Sequence, residues 1–92
     1  MKVKELYDEV WATFGEQTQL TVASEECSEL IKEICKVQRG QGDMSHLAEE
    51  LADVFIMAHQ VMQFYELEPL VNSFTCKKQS RLYKRLRSAG HA

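Results

Sequence analysis

Residues 20–38 read LTVASEECSELIKEICKVQ, and the apolar members Leu20, Ala23, Cys27, Leu30, Ile34 and Val37 step by three and four. Such steps line one side of an α-helix and neither face of a strand. The pattern returns downstream in Leu47, Leu51, Val54, Ala58, Val61 and Tyr65, and upstream in Val3, Leu6, Val10 and Phe14. A sparser series runs through Leu70, Phe74, Leu82 and Leu86. The punctuation agrees. Gly15 stops the first helix, Gly40 suits a left-handed cap after the second, and Asp43 or Ser45 caps the third. Pro69 fits the first turn of a fourth. No segment sustains a period of two, so the chain is expected to be all-α, with four helices and the middle two folded back at residues 40–43.

At 92 residues the chain has room for one domain, residues 1–92, and so small a domain buries only about 60–65% of its unfolded surface. Apolar residues make up 45% and charged ones 27%, a globular balance. The uncharged stretch Val54–Tyr65 is too short to span a bilayer. Lys2, Lys4, Glu5, Asp8 and Glu9 interrupt any apolar run near the start, so no signal peptide is expected. Cys27, Cys35 and Cys76 form neither a disulfide framework nor a CxxC metal motif. A reducing, cytoplasmic setting and no membrane partner follow as expectations. Ile31 and Cys35 widen the apolar face of the second helix, and Phe55, Ile56 and Met62 that of the third. Faces that wide are buried on several sides, which in so short a chain implies a homo-oligomer.

All fourteen acids lie at or before Glu68, whereas six of the eleven lysines and arginines lie between Lys77 and Arg87. The asymmetry suggests a cation held by the body and an anion met by the last helix. Glu26 and Glu29 share one helix face, and Glu50 and Asp53 repeat the spacing on the next helix. At about 1.5 Å per residue, Glu29 lies roughly 15 Å below the turn and Glu50 roughly 10 Å, so four carboxylates can converge. Like-charge pairs four apart (Glu25–Glu29, Glu29–Glu33, Glu49–Asp53) are each unfavourable, and no lysine or arginine lies between Asp43 and Tyr65. A hard divalent cation, Mg2+ or Mn2+, is the natural relief for an all-oxygen ligand set.

The segment QLTVASEECSELIKEICKVQRG at 19–40, followed by EELADV at 49–54, resembles the MazG-like all-α nucleoside triphosphate pyrophosphohydrolases. The carriers are Glu26-x-x-Glu29 on one helix and Glu50-x-x-Asp53 on the next. The resemblance implies a four-helix subunit stable as a homodimer or a homotetramer. It also implies hydrolysis of a (deoxy)nucleoside triphosphate to the monophosphate and pyrophosphate, in nucleotide-pool control or housecleaning. Glu26, Glu29, Glu50 and Asp53 would be the catalytic, metal-holding set. The water nucleophile would be activated by the metal or by a motif glutamate.

Cationic partners for the leaving pyrophosphate are sought on the last helix, where Lys78, Arg81 and Arg85 share one stripe. The same stripe could instead be a solvated face or meet a neighbouring subunit's acids. Trp11 and Phe14 could stack on a nucleobase or sit in the core. Gln19, seven residues before Glu26, could touch base or ribose, or be an ordinary exposed glutamine. His46, four before Glu50, could approach the site. A di-iron bundle would need Glu-x-x-His, which does not occur. The remaining alternative is a non-enzymatic helical oligomerisation or nucleic-acid-binding module. A pI near 5.6 argues against a nucleic acid polymer as partner.

Overall fold

α1 (Val3–Phe14) and α2 (Glu16–Gln38) are separated by one residue, Gly15, whose φ of +93° turns the chain through a corner that a side chain would strain. α3 (Met44–Phe64) and α4 (Glu68–Ser88) complete the chain, with no strand among the described residues. The structure is a computed structural model and describes residues 1–90.

α2 ends as its sequence predicts. Gly40 is left-handed at φ +74°, its N–H donates to the Val37 carbonyl at 3.0 Å, and Gln41 N–H reaches back to Lys36 at 2.9 Å. Those two bonds satisfy carbonyls that a helix end leaves open. Gly42 then passes so close to α2 that a Cβ there would lie 2.4 Å from Val37 Cγ2. The cap of α3 is Asp43, whose carboxylate accepts from Ser45 N–H at 2.8 Å and His46 N–H at 3.3 Å.

This turn folds α3 antiparallel against α2 in one register. Gln19 donates to Gln60 at 3.2 Å, Glu26 faces Asp53, and Glu33 lies 3.9 Å from His46. Seven residues forward on α2 and seven back on α3 lead from each pair to the next. α1 is stitched to the far end of α3, where Gln63 donates to the Lys4 carbonyl at 2.9 Å and to Asp8 at 2.8 Å.

The faces in contact coincide only in part with those the apolar spacing singled out: Leu20, Ala23, Leu30, Leu47, Val54 and Val61 are half-buried. Cys27, Ile34 and Val37, expected in the core, are exposed, whereas Gln19, Glu33 and Gln60 are buried. Only Trp11 and Met57 form a buried apolar core among the described residues. Periodicity marks a face destined for burial without saying what buries it. Here the polar pairs fix the α2–α3 seam, and the apolar flanks, with Ile31 and Phe55 more than 60% exposed, turn outward.

α4 is present as expected and begins with Pro69 in its first turn, but it packs only sparsely. It meets α3 and neither other helix, and none of its residues is buried. Glu66, left-handed at φ +53°, sets its departure from α3. Leu70, Phe74, Leu82 and Leu86 are all exposed. The radius of gyration is 16.7 Å, against about 12 Å for a compact chain of this length. The chain exposes 7275 Å², where a compact monomer of its mass exposes about 5,500 Å². No helix is long and apolar enough to cross a membrane among the described residues.

Candidate metal centre

The α2–α3 register brings Glu26 opposite Asp53, and Glu50 sits one turn from Asp53 on the same face. Single oxygens of Glu26, Glu50 and Asp53 lie within 4.8 Å of one another. Three carboxylates at that separation repel. Partial burial between the helices pushes the Glu26 carboxyl above its ordinary value, and hydrogen bonding to Asp53 with the charges of Asp53, Glu50 and Glu29 pushes it further. Glu50 is raised in the same way, by partial burial first and then by Asp53, Glu29, Glu49 and Glu33. The donor set is oxygen only and half-exposed, which suits a hard divalent cation that keeps some of its water.

Glu29, the fourth motif carboxylate, stands outside that group of three. It is exposed, acts on Glu50 through its charge, and lines an open cleft of about 300 Å³ with Lys32, Glu33, Lys36, His46, Glu49 and Glu50. In that cleft the buried Glu33 accepts from Lys36 Nζ at 3.1 Å and lies 3.9 Å from His46 Nδ1.

One layer along the seam in the other direction, Gln60 Oε1 accepts from both Trp11 Nε1 (2.8 Å) and Gln19 Nε2 (3.2 Å). Gln19 is therefore an interior residue and not an exposed one. Trp11, expected as a stacking surface for a base, is only 4% exposed. Phe64 covers its ring at 4.3 Å and Tyr65 abuts it edge-on, so it offers no open face. Phe14 is exposed.

Lys78, Arg81 and Arg85 are not brought to the carboxylates within the subunit, because α4 leaves α3 and never meets α2. No lysine or arginine of α4 pairs with a carboxylate among the described residues. Glu33 and Gln60 were the polar seam residues that sequence reasoning did not assign to the site. Both carried a signal: Glu33 follows Glu26 by seven residues, and Gln60 follows Asp53 by seven.

A family model matches residues 14–85 as a MazG nucleotide pyrophosphohydrolase domain. The chain belongs to that family. The MazG match spans α2, α3 and most of α4, and so includes both carboxylate motifs and the basic helix. Comparison with curated proteins and with solved structures gave no match.

Proposed function

We propose that this MazG domain hydrolyses a (deoxy)nucleoside triphosphate to the monophosphate and pyrophosphate. The observation that carries the reading is the convergence of Glu26, Glu50 and Asp53 across α2 and α3. These three hold Mg2+, or Mn2+ in its place. When bound, the cation neutralises phosphate oxygens and orients the α-phosphorus for attack.

Glu29 stands beside the three with its carboxylate free of them, and it takes the proton of the attacking water. The water oxygen bonds to the α-phosphorus, the bond from that phosphorus to the bridging oxygen breaks, and pyrophosphate departs. Gln60 holds Gln19 and Trp11 as a buried amide and indole layer one step along the seam from the carboxylates.

The domain works as a homodimer or homotetramer. Its small apolar core, its outward Ile31 and Phe55, and its uncovered α4 leave a surface excess of about 1,800 Å² per subunit over a compact monomer, or about 3,600 Å² for a pair, the size of an obligate interface. In such an assembly Lys78, Arg81 and Arg85 reach the carboxylates of another subunit and meet the charge of the substrate. Clearing unwanted nucleotides from a cytoplasmic pool is the role that fits.

The test is a panel of NTPs and dNTPs with Mg2+, with pyrophosphate and orthophosphate measured separately. Pyrophosphate from at least one nucleotide, abolished by chelator, is expected. Orthophosphate as the primary product, or full activity in excess chelator, overturns the reading.

A further inference from the structure

Three polar layers follow one another along the α2–α3 seam, about 10 Å apart at seven residues per step, and they differ in charge. At one end Gln19, Gln60 and Trp11 form an uncharged layer closed by its own hydrogen bonds. In the middle stand Glu26, Glu50 and Asp53. At the other end Glu33 is 8% exposed and gathers Lys36 at 3.1 Å and His46 at 3.9 Å, with Lys32 lining the same cleft. Lys32 and Lys36 thus add positive charge beside the carboxylates on the side of the 39–43 turn, where His46 adds an imidazole.

A nucleoside triphosphate is likewise uncharged at one end and polyanionic at the other. We infer that Lys36 and His46, held in place by Glu33, receive the β- and γ-phosphates, so that pyrophosphate leaves toward the α2–α3 turn while the nucleoside lies toward Gln60. This rests on the pyrophosphohydrolase reading and gives the substrate a direction along the seam.

Glu33 lends the arrangement more than a surface pair has. A long lysine side chain on an exposed helix keeps most of its rotamer freedom, and ordering it against a ligand costs that freedom. Lys36 is already tethered to a buried carboxylate reached from the adjacent turn of its own helix, and His46 approaches the same carboxylate from α3. The acids of the cleft, Glu29, Glu49 and Glu50, oppose a bare anion. The divalent cation offsets those acids when the polyphosphate enters, Lys36 and His46 contact the leaving group, and Glu33 is the residue that positions them.

The experiment measures binding of pyrophosphate and, separately, of a nucleoside monophosphate by calorimetry in saturating Mg2+. It uses wild type, Lys36→Ala, Lys36→Arg and His46→Gln. Pyrophosphate affinity should fall by about 10- to 100-fold in Lys36→Ala, the loss of a charge-assisted contact. It should fall less in His46→Gln and recover in Lys36→Arg. Monophosphate affinity, Mg2+ affinity and assembly size should stay put. Equal pyrophosphate affinity in all four proteins, equal losses for both ligands, or no pyrophosphate binding by wild type overturns the assignment. The outcome is separable from the activity itself, because binding of pyrophosphate is read without turnover.

Discussion

Glu26 and Asp53 face each other from different helices closely enough for their carboxyls to hydrogen-bond, and Glu50 completes a group spanning 4.8 Å. A bound cation would relieve the repulsion in such an arrangement. Glu26→Gln, Glu50→Gln and Asp53→Asn should each cost at least about 100-fold in kcat/KM and erase the rise in Tm that Mg2+ gives wild type. Their metal-free Tm should be no lower than wild type, since each removes a repelling charge. Lower metal-free stability in all three would make these acids structural.

Glu29 lies outside that group, so its loss should read differently. Glu29→Gln should keep the Mg2+-dependent rise in Tm while kcat falls by about 100- to 10,000-fold, the contribution of a general base. A Mg2+ response lost as completely as in Asp53→Asn would make Glu29 a ligand.

The carboxyls also set a pH dependence. Glu26 and Glu50 titrate above 4.5 in the folded chain, so the stability they contribute is complete below 4.5 and is lost as pH rises through their raised values. Asp43, whose carboxylate is held below 3.8 by the Ser45 and His46 N–H groups, acts oppositely. Its contribution is present above 3.8 and vanishes as pH falls through the depressed value. Tm in chelator should therefore climb from neutral pH toward 4.5 and drop again in stronger acid. Saturating Mg2+ should remove the climb, because protons compete with the metal. A metal-free Tm that falls steadily from neutral pH downward contradicts this assignment.

Lys78, Arg81 and Arg85 can meet the carboxylates only across subunits. Arg81→Ala alone should lower kcat/KM by about 10- to 1000-fold, and Asp53→Asn alone by at least about 100-fold. Mixed under conditions that exchange subunits, the two should regain part of the wild-type rate, because some sites then combine an intact α4 with intact carboxylates. Mixtures no more active than their components would leave the basic helix as a solvated face.

Gln60 is the acceptor for two buried donors, Trp11 Nε1 and Gln19 Nε2. Gln60→Leu keeps the volume and removes the acceptor, so unfolding in urea should show a loss of about 1–3 kcal/mol. An unchanged midpoint would mean that solvent or a rearranged side chain satisfies both donors.

Much of this was readable beforehand. The 3-and-4 spacing located all four helices, Gly40 and Asp43 behaved as their turn chemistry requires, and the interval between Glu26 and Glu29, matched by Glu50 and Asp53, pointed at one place on two helices. What the spacing hid was rotation. Leu20, Cys27 and Ile34 looked like the face that α3 covers, yet Cys27 and Ile34 are exposed and Leu20 only half-buried, whereas Gln19 and Glu33, one residue back around the helix, are buried. An apolar stripe identifies a surface that prefers to leave water, and a neighbouring subunit can satisfy it as well as a neighbouring helix. The course of α4 was hidden for the same reason: its direction is set by one left-handed residue, Glu66, of a type seldom found in that conformation.

Residues 39–43 contain none of the proposed chemistry, yet their number is part of it. The turn between Gln38 and Met44 sets how α3 is laid against α2, so a residue more or fewer there would shift one helix against the other. The amide layer, the carboxylates and the Glu33–His46 pair would then fall out of phase together, because all three are spaced from the same turn. Gly42 allows the chain to lie flush on Val37, where any side chain would lift it. Surface turns generally absorb insertions with little harm, but here length works as a key cut to a single depth. A variant with one alanine inserted at Gln41 could remain fully helical and still lose the amide, metal and phosphate ends of the seam in a single stroke.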